Sequence, residues 1–233
     1  DGIPSAIIAP TNLTYLLNAA EDANTPTIFV LMTRLYRILG LIIAIYLPGF
    51  WIALLTYHQD QIPLTLLSTL VLSRQGVPLP TPLEGIFMLM LFELLKEAGL
   101  RLPTAIGQTL SVVGGLIIGQ AAISAGMTAP GVLVIMAIAI VATFTLGNQN
   151  LVSLVSLLRM GVLIVCAFLG MFGFLISLMG ITMALANLRS FGIPYLAPIS
   201  PPVWRDLFKV LFSLPWRRID SPPNMIDKKG GSK

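Results

Sequence analysis

Residues Pro103–Ala125 read PTAIGQTLSVVGGLIIGQAAISA. As a helix rising about 1.5 Å per residue, the stretch is long enough to cross a bilayer. It is nevertheless rich in glycine, serine, threonine and glutamine. A helical repeat places Thr104, Gln108, Ser111, Gly115, Gly119 and Ala122 on one side, with Leu110, Val113 and Ile117 opposite. In a membrane, a small-polar stripe faces another helix or a water-filled space. Which of the two it faces decides what the chain does.

Composition supplies the membrane. Of 233 residues, 56% are hydrophobic and 10% are charged, whereas soluble domains carry roughly a quarter charged residues. The chain reads as an all-α integral membrane protein. A single cysteine, Cys166, lies in an apolar run and a single histidine, His58, follows another. No disulfide framework, metal cluster, phosphate-binding glycine loop or Ser/His/Asp set is present. No catalytic residue, cofactor site or metal site is assigned, and the chain does not read as an enzyme.

Working outward, Asp1–Pro10 (DGIPSAIIAP) resembles the close of a soluble domain, and residues 1–33 read as that end plus a connector. Arg34 and Arg37 precede an apolar run, 38–55, expected to span and to kink at Pro48 and Gly49. The segment 58–82, apolar but broken by prolines, fits a helix on the membrane surface. An amphipathic helix is expected over 82–98, with Gly99 as its C-cap, a solvated charged ridge of Glu93, Glu97 and Arg101, and a Glu93–Lys96 pair. Glu84, Glu93 and Glu97 are also candidates for a ring of carboxylates at a channel mouth. Further spans are expected near 104–125, 131–146 and 160–186, making about four in all, and Pro130 fits the first turn of the third. Arg159 stands at the entrance of the last span, on one edge with Ser153 and Ser156.

The membrane domain thus covers 34–188, and 189–233 is a basic tail. Val203–Leu214 within it resembles an amphipathic helix on anionic lipid. The positive-inside rule puts Arg34, Arg37 and the tail in the cytoplasm, which an even number of spans satisfies. It also accounts for the basic tail without a nucleic-acid partner.

Two longer strings carry a family resemblance. LLKEAGLRLPTAIGQTLSVVGGLIIGQAAISAG (Leu94–Gly126) and NLRSFGIPYLAPISP (Asn187–Pro201) resemble signatures of the GerA-type spore germinant receptor A subunits. The start of the chain resembles the close of that family's soluble domain. The resemblance implies a nutrient-gated complex in the inner membrane of bacterial spores. It implies A subunits in a ring, a pentamer, around a pore for monovalent cations, with B and C subunits beside them. The SpoVAF-type paralogues share this membrane architecture and are associated with ion release.

Three functions are open on this reading. In a channel subunit, Thr104, Gln108, Ser111, Gly115 and Gly119 line the pore, with Val112 as an apolar constriction. In a non-conducting assembly subunit, Gly115-x-x-x-Gly119 only packs helices, the commoner use of such a motif. A transporter would employ Glu84, Glu93 and Arg159, but no inverted repeat accompanies them.

Overall fold

The computed structural model describes residues 26–100, 115, 117–146, 148–190 and 193–195. Among these, the chain is helical apart from one short hairpin. The helices are α1 (Thr27–Tyr57), α2 (Leu64–Ser73), α3 (Thr81–Leu100), α4 (residues 117–124), α5 (Pro130–Thr143) and α6 (Gln149–Asn187). A 3-10 turn, Gln59–Gln61, joins α1 to α2. α1 and α6 are long and apolar enough to cross a membrane.

Two compact units divide the chain, Leu39–Met179 on one hand and Asp1–Ile38 with Gly180–Lys233 on the other. In the second, the first turns of α1 carry Thr33, whose hydroxyl donates to the carbonyls of Phe29 and Val30. Strands β1 (Arg189–Ser190) and β2 (Ile193–Pro194) pair antiparallel after the end of α6.

The unit Leu39–Met179 has a core of Ile52, Leu55, Met88, Leu89, Val132, Met136 and Leu163, drawn from α1, α3, α5 and α6. Side chains too bulky for the spacing are absent where helices touch. A methyl group on Gly85 would lie 2.8 Å from Ile52 Cδ1 and 3.0 Å from Met136 Cε. One on Gly49 would lie 2.9 Å from Val162 Cγ1. Gly49 therefore marks the crossing of α1 and α6, and α1 continues through Pro48 to Tyr57. Likewise α3 runs past Gly99, the expected cap, to Leu100. Pro130 occupies the first turn of α5, as its fixed φ favours.

The helix expected at 82–98 is present as α3, but its polarity is the reverse of the expected one. Leu83, Phe87, Met90 and Leu94 are its exposed stripe, whereas Glu84 is buried and Glu93 half-buried. α2 also turns Leu64, Leu66, Val71 and Leu72 outward. Apolar side chains outside and charges inside is the arrangement that a hydrocarbon surround selects, since lipid offers polar groups no hydrogen bonds.

α6 likewise departs from the single rod expected over 160–186. Gly170 has φ +60° and ψ −138°, outside helical space, and this left-handed φ favours glycine. A Cβ on Gly173 would lie 2.6 Å from the carbonyl oxygen of Val165. Residues eight apart along an unbroken helix are separated by about 12 Å, so the chain has turned back on itself. Phe174 on the returning arm meets Tyr46 and Phe50 edge-on, with ring centroids 6.0 and 5.4 Å away. The Tyr57 hydroxyl donates to the carbonyl of Ala167 at 2.8 Å, satisfying an acceptor that the break exposes.

Candidate functional site

α3 carries two polar centres, one near each end. Thr81 begins the helix and Glu84 lies in its first turn, with no exposed surface. One carboxylate oxygen, Oε1, accepts from the Thr128 hydroxyl at 2.8 Å and from the Ala129 backbone N–H. Ala129 is the N-cap residue of α5 and has no capping side chain of its own. Glu84 thus supplies, from another helix, the anionic acceptor that a helix N-terminus favours. Its other oxygen lies 3.5 Å from Arg74 Nη2. Arg74 also donates to the Leu79 carbonyl at 3.3 Å and to the Thr81 hydroxyl, so the loop between α2 and α3 closes over the carboxylate.

The second centre joins three helices. Arg159, midway along the first arm of α6, is the largest fully buried side chain among the described residues. Its Nη2 pairs with Glu93 of α3 and lies 3.4 Å from the Ser156 hydroxyl. Its Nη1 donates to the Ala139 carbonyl of α5 at 3.1 Å. Lys96, one turn beyond Glu93, pairs with the same carboxylate and donates to Ser156. One carboxylate, two cations and a hydroxyl thereby satisfy one another, with Arg159 itself cut off from the surface. A buried charge requires such partners, because isolated burial costs several kcal/mol.

α4 returns beside α3 and α5. A methyl on Gly119 would lie 3.2 Å from Leu133 Cδ1, and one on Gly115 would lie 3.8 Å from Phe92 Cε1. Gly119 and Ala122 are buried against their own chain, while Ile117, Gln120, Ala121 and Ser124 are exposed.

The family model described as Bacillus/Clostridium GerA spore germination protein matches residues 1–225. The chain belongs to this family. It is 54% identical over 97% of its length to spore germination protein XA of Bacillus anthracis, covering 46% of that protein. To spore germination protein KA of Bacillus subtilis it is 33% identical over 98% of its length and 42% of the relative's. A third relative, 35% identical over the whole chain and 45% of its own length, is the uncharacterized membrane protein YfkQ of Bacillus subtilis. The chain therefore spans about half the length of these curated relatives. No solved structure matches it. GerA proteins are a germinant receptor family and are not known as enzymes.

Of the GerA chain's residues read as pore-lining, Thr104, Gln108, Ser111 and Val112 lie outside the described residues. Gly115 and Gly119 are the described pair, and both approach their own chain. Of the three glutamates read as mouth charges, Glu84 and Glu93 are held in the two centres, 45° or more from the exposed stripe of α3 on a helical repeat of about 100° per residue. Glu97 is exposed. The sequence places Arg159 at a span entrance and, in the transporter alternative, beside Glu84 and Glu93; its place at the hub of three helices has no local trace. The available signal was its isolation, for it is the one charged residue between Arg101 and Arg189. A lone charge in so long an apolar sequence needs a partner from elsewhere. Thr128 and Arg74 gave no comparable signal. Among the described residues no cluster of ligating side chains that could hold a metal occurs.

Proposed function

We propose that this chain is the membrane part of a germinant receptor A subunit which assembles as a ring, a pentamer on the family resemblance, and conducts monovalent cations. The carrying observation is the GerA family match over residues 1–225. Supporting it, α1, α3 and α6 turn apolar side chains outward, while α3 and α6 bury Glu84 and Arg159, as a lipid-embedded subunit requires. Its place is the inner membrane of the spore, with B and C subunits as partners and residues 189–233 against anionic lipid in the cytoplasm. Domain limits are 1–33, 34–188 and 189–233. The four expected spans become six alternating passes when α3 and both arms of α6 are included. Either count is even and keeps both ends of the membrane domain on one side.

The pore lining is assigned to Thr104, Gln108 and Ser111, with Val112 as the constriction. Gly115 and Gly119 border it and pack the same helix. Monovalent cations cross a stripe of hydroxyl, amide and backbone groups that need not bind them tightly. A SpoVAF-type role in ion release would use the same lining. The test takes the full-length receptor with Cys166→Ser and a single cysteine in place of Thr104, Gln108 or Ser111. Modification by a charged, membrane-impermeant thiol reagent is expected to reduce cation flux at each position. Unreactive thiols at all three, in receptors that assemble normally, would reject the pore.

That outcome would favour the second reading, a non-conducting assembly subunit. Its supporting observation is the burial of Gly119 beneath Leu133, which uses part of the small-residue stripe for packing within one chain.

A further inference from the structure

We infer that the Thr81 hydroxyl, the Leu79 carbonyl and Glu84 Oε2 form a monovalent-cation site, filled here by the Arg74 guanidinium, which a free ion displaces. Only the source of that ion, flux through the pore, rests on the function proposed above. The Arg74 fork donates to the Thr81 hydroxyl and, at 3.3 Å, to the Leu79 carbonyl. It lies 3.5 Å from Glu84 Oε2 as an ion pair, yet that buried oxygen has no hydrogen-bond partner. Glu84 has no exposed surface, and its other oxygen is taken by Thr128 and Ala129. A buried carboxylate oxygen left in this way has room for a ligand that binds it more closely than Arg74 does.

The chemistry selects a single charge. Glu84 and Arg74 together are neutral, and exchanging the guanidinium for a monovalent ion keeps them so. A divalent ion would leave a buried charge uncompensated. No imidazole, thiolate or second carboxylate joins the set among the described residues, so it is not a transition-metal site. A hydroxyl, a carbonyl and a carboxylate instead offer the oxygens that replace an alkali ion's hydration shell. Arg74 is free to leave, since it keeps 23% of its side-chain surface and ends α2, a helix with no buried residue. Its departure releases the loop 74–80. There Gly76, with φ +91°, meets Gly126, with φ +66°, where a Cβ would lie 3.2 Å from the Gly76 carbonyl oxygen. Cation binding therefore loosens α2 and its loop from the turn between α4 and α5.

Two measurements test the site on full-length receptor in detergent, in the chloride of potassium, sodium or choline at equal ionic strength. Choline is too bulky for three converging oxygens. Trypsin must draw an arginine side chain into its own pocket, so cleavage between Arg74 and Gln75 counts the displaced state. In the parent, cleavage is expected to run about threefold faster in an alkali chloride than in choline chloride. Equal or slower cleavage, or none in any salt, would overturn the displacement. The second measurement vacates the site with Arg74→Ala. A saturating alkali ion is expected to raise the Tm of this variant by about 3 °C over choline. Adding Glu84→Gln is expected to remove that difference. No difference in Arg74→Ala, or one that survives Glu84→Gln, would reject the site. If Arg74→Ala does not accumulate, cleavage of the parent decides. Neither readout uses flux, so a rejected site leaves the pore standing, and a failed pore leaves the site standing.

Discussion

The two ends of α3 carry the same residue type in opposite circumstances. Glu84 is wholly buried, yet most of its partners are neutral: a hydroxyl and a backbone N–H at the start of α5. Its cation, Arg74, retains 23% of its side-chain surface and sits on a loop. Glu93 keeps about as much exposure as Arg74, but its partner Arg159 has 1%. The first centre is a helix cap whose counter-charge reaches towards the outside. The second places a full charge at the hub and brings the carboxylate to it. What matters energetically is the solvation of the whole set, since a buried charge without its partner costs more than a lost neutral hydrogen bond.

Substitutions arranged by expected effect would break or sharpen this contrast. Arg159→Met should be the most damaging to stability, by about 3–5 kcal/mol, if Glu93 and Lys96 cannot re-form a solvated pair. Thermal unfolding of the detergent-solubilised receptor measures it, and a loss below that of any Glu84 variant would invert the ranking. Glu84→Ala strands the Ala129 N–H and the Thr128 hydroxyl and should cost about 2–3 kcal/mol in the same assay. Glu84→Gln keeps an acceptor for α5 while removing the charge opposite Arg74, so its loss should be about 1 kcal/mol. A Gln variant as damaging as Ala would make the Arg74 ion pair, not the cap, the important half of this centre. Glu97→Gln, on the exposed side of the same helix, should fall within about 0.5 kcal/mol of the parent. A larger effect would extend the second centre to include Glu97.

Much of the helical plan could be read from residues. The apolar run before Tyr57, the proline at the start of α5 and the surface segment now called α2 each follow from local pattern. Reading α3 as an amphipathic helix went wrong in its direction. A helical wheel separates Glu93 from Leu83, Phe87 and Met90 but does not say which side meets neighbours. The pairing of Glu93 with Lys96 was legible, being three residues apart on one helix. The pairing with Arg159 was not, because the two lie sixty-six positions apart and no local repeat links them. Nothing in the residues around Gly170 distinguishes a reversal from a packing site.

The sequence by itself determined that this is an apolar, helical chain with one isolated arginine, and its long ordered strings determined its GerA membership. Tertiary structure alone decided which way the charges point and where α6 turns. Helix formation depends on residues within a few positions, so it leaves a periodic trace in sequence. Charge burial and the Gly170 reversal depend on groups brought together from distant positions, Arg159 with Glu93 and Ala139, and Tyr57 with Ala167. Only a folded chain supplies those partners.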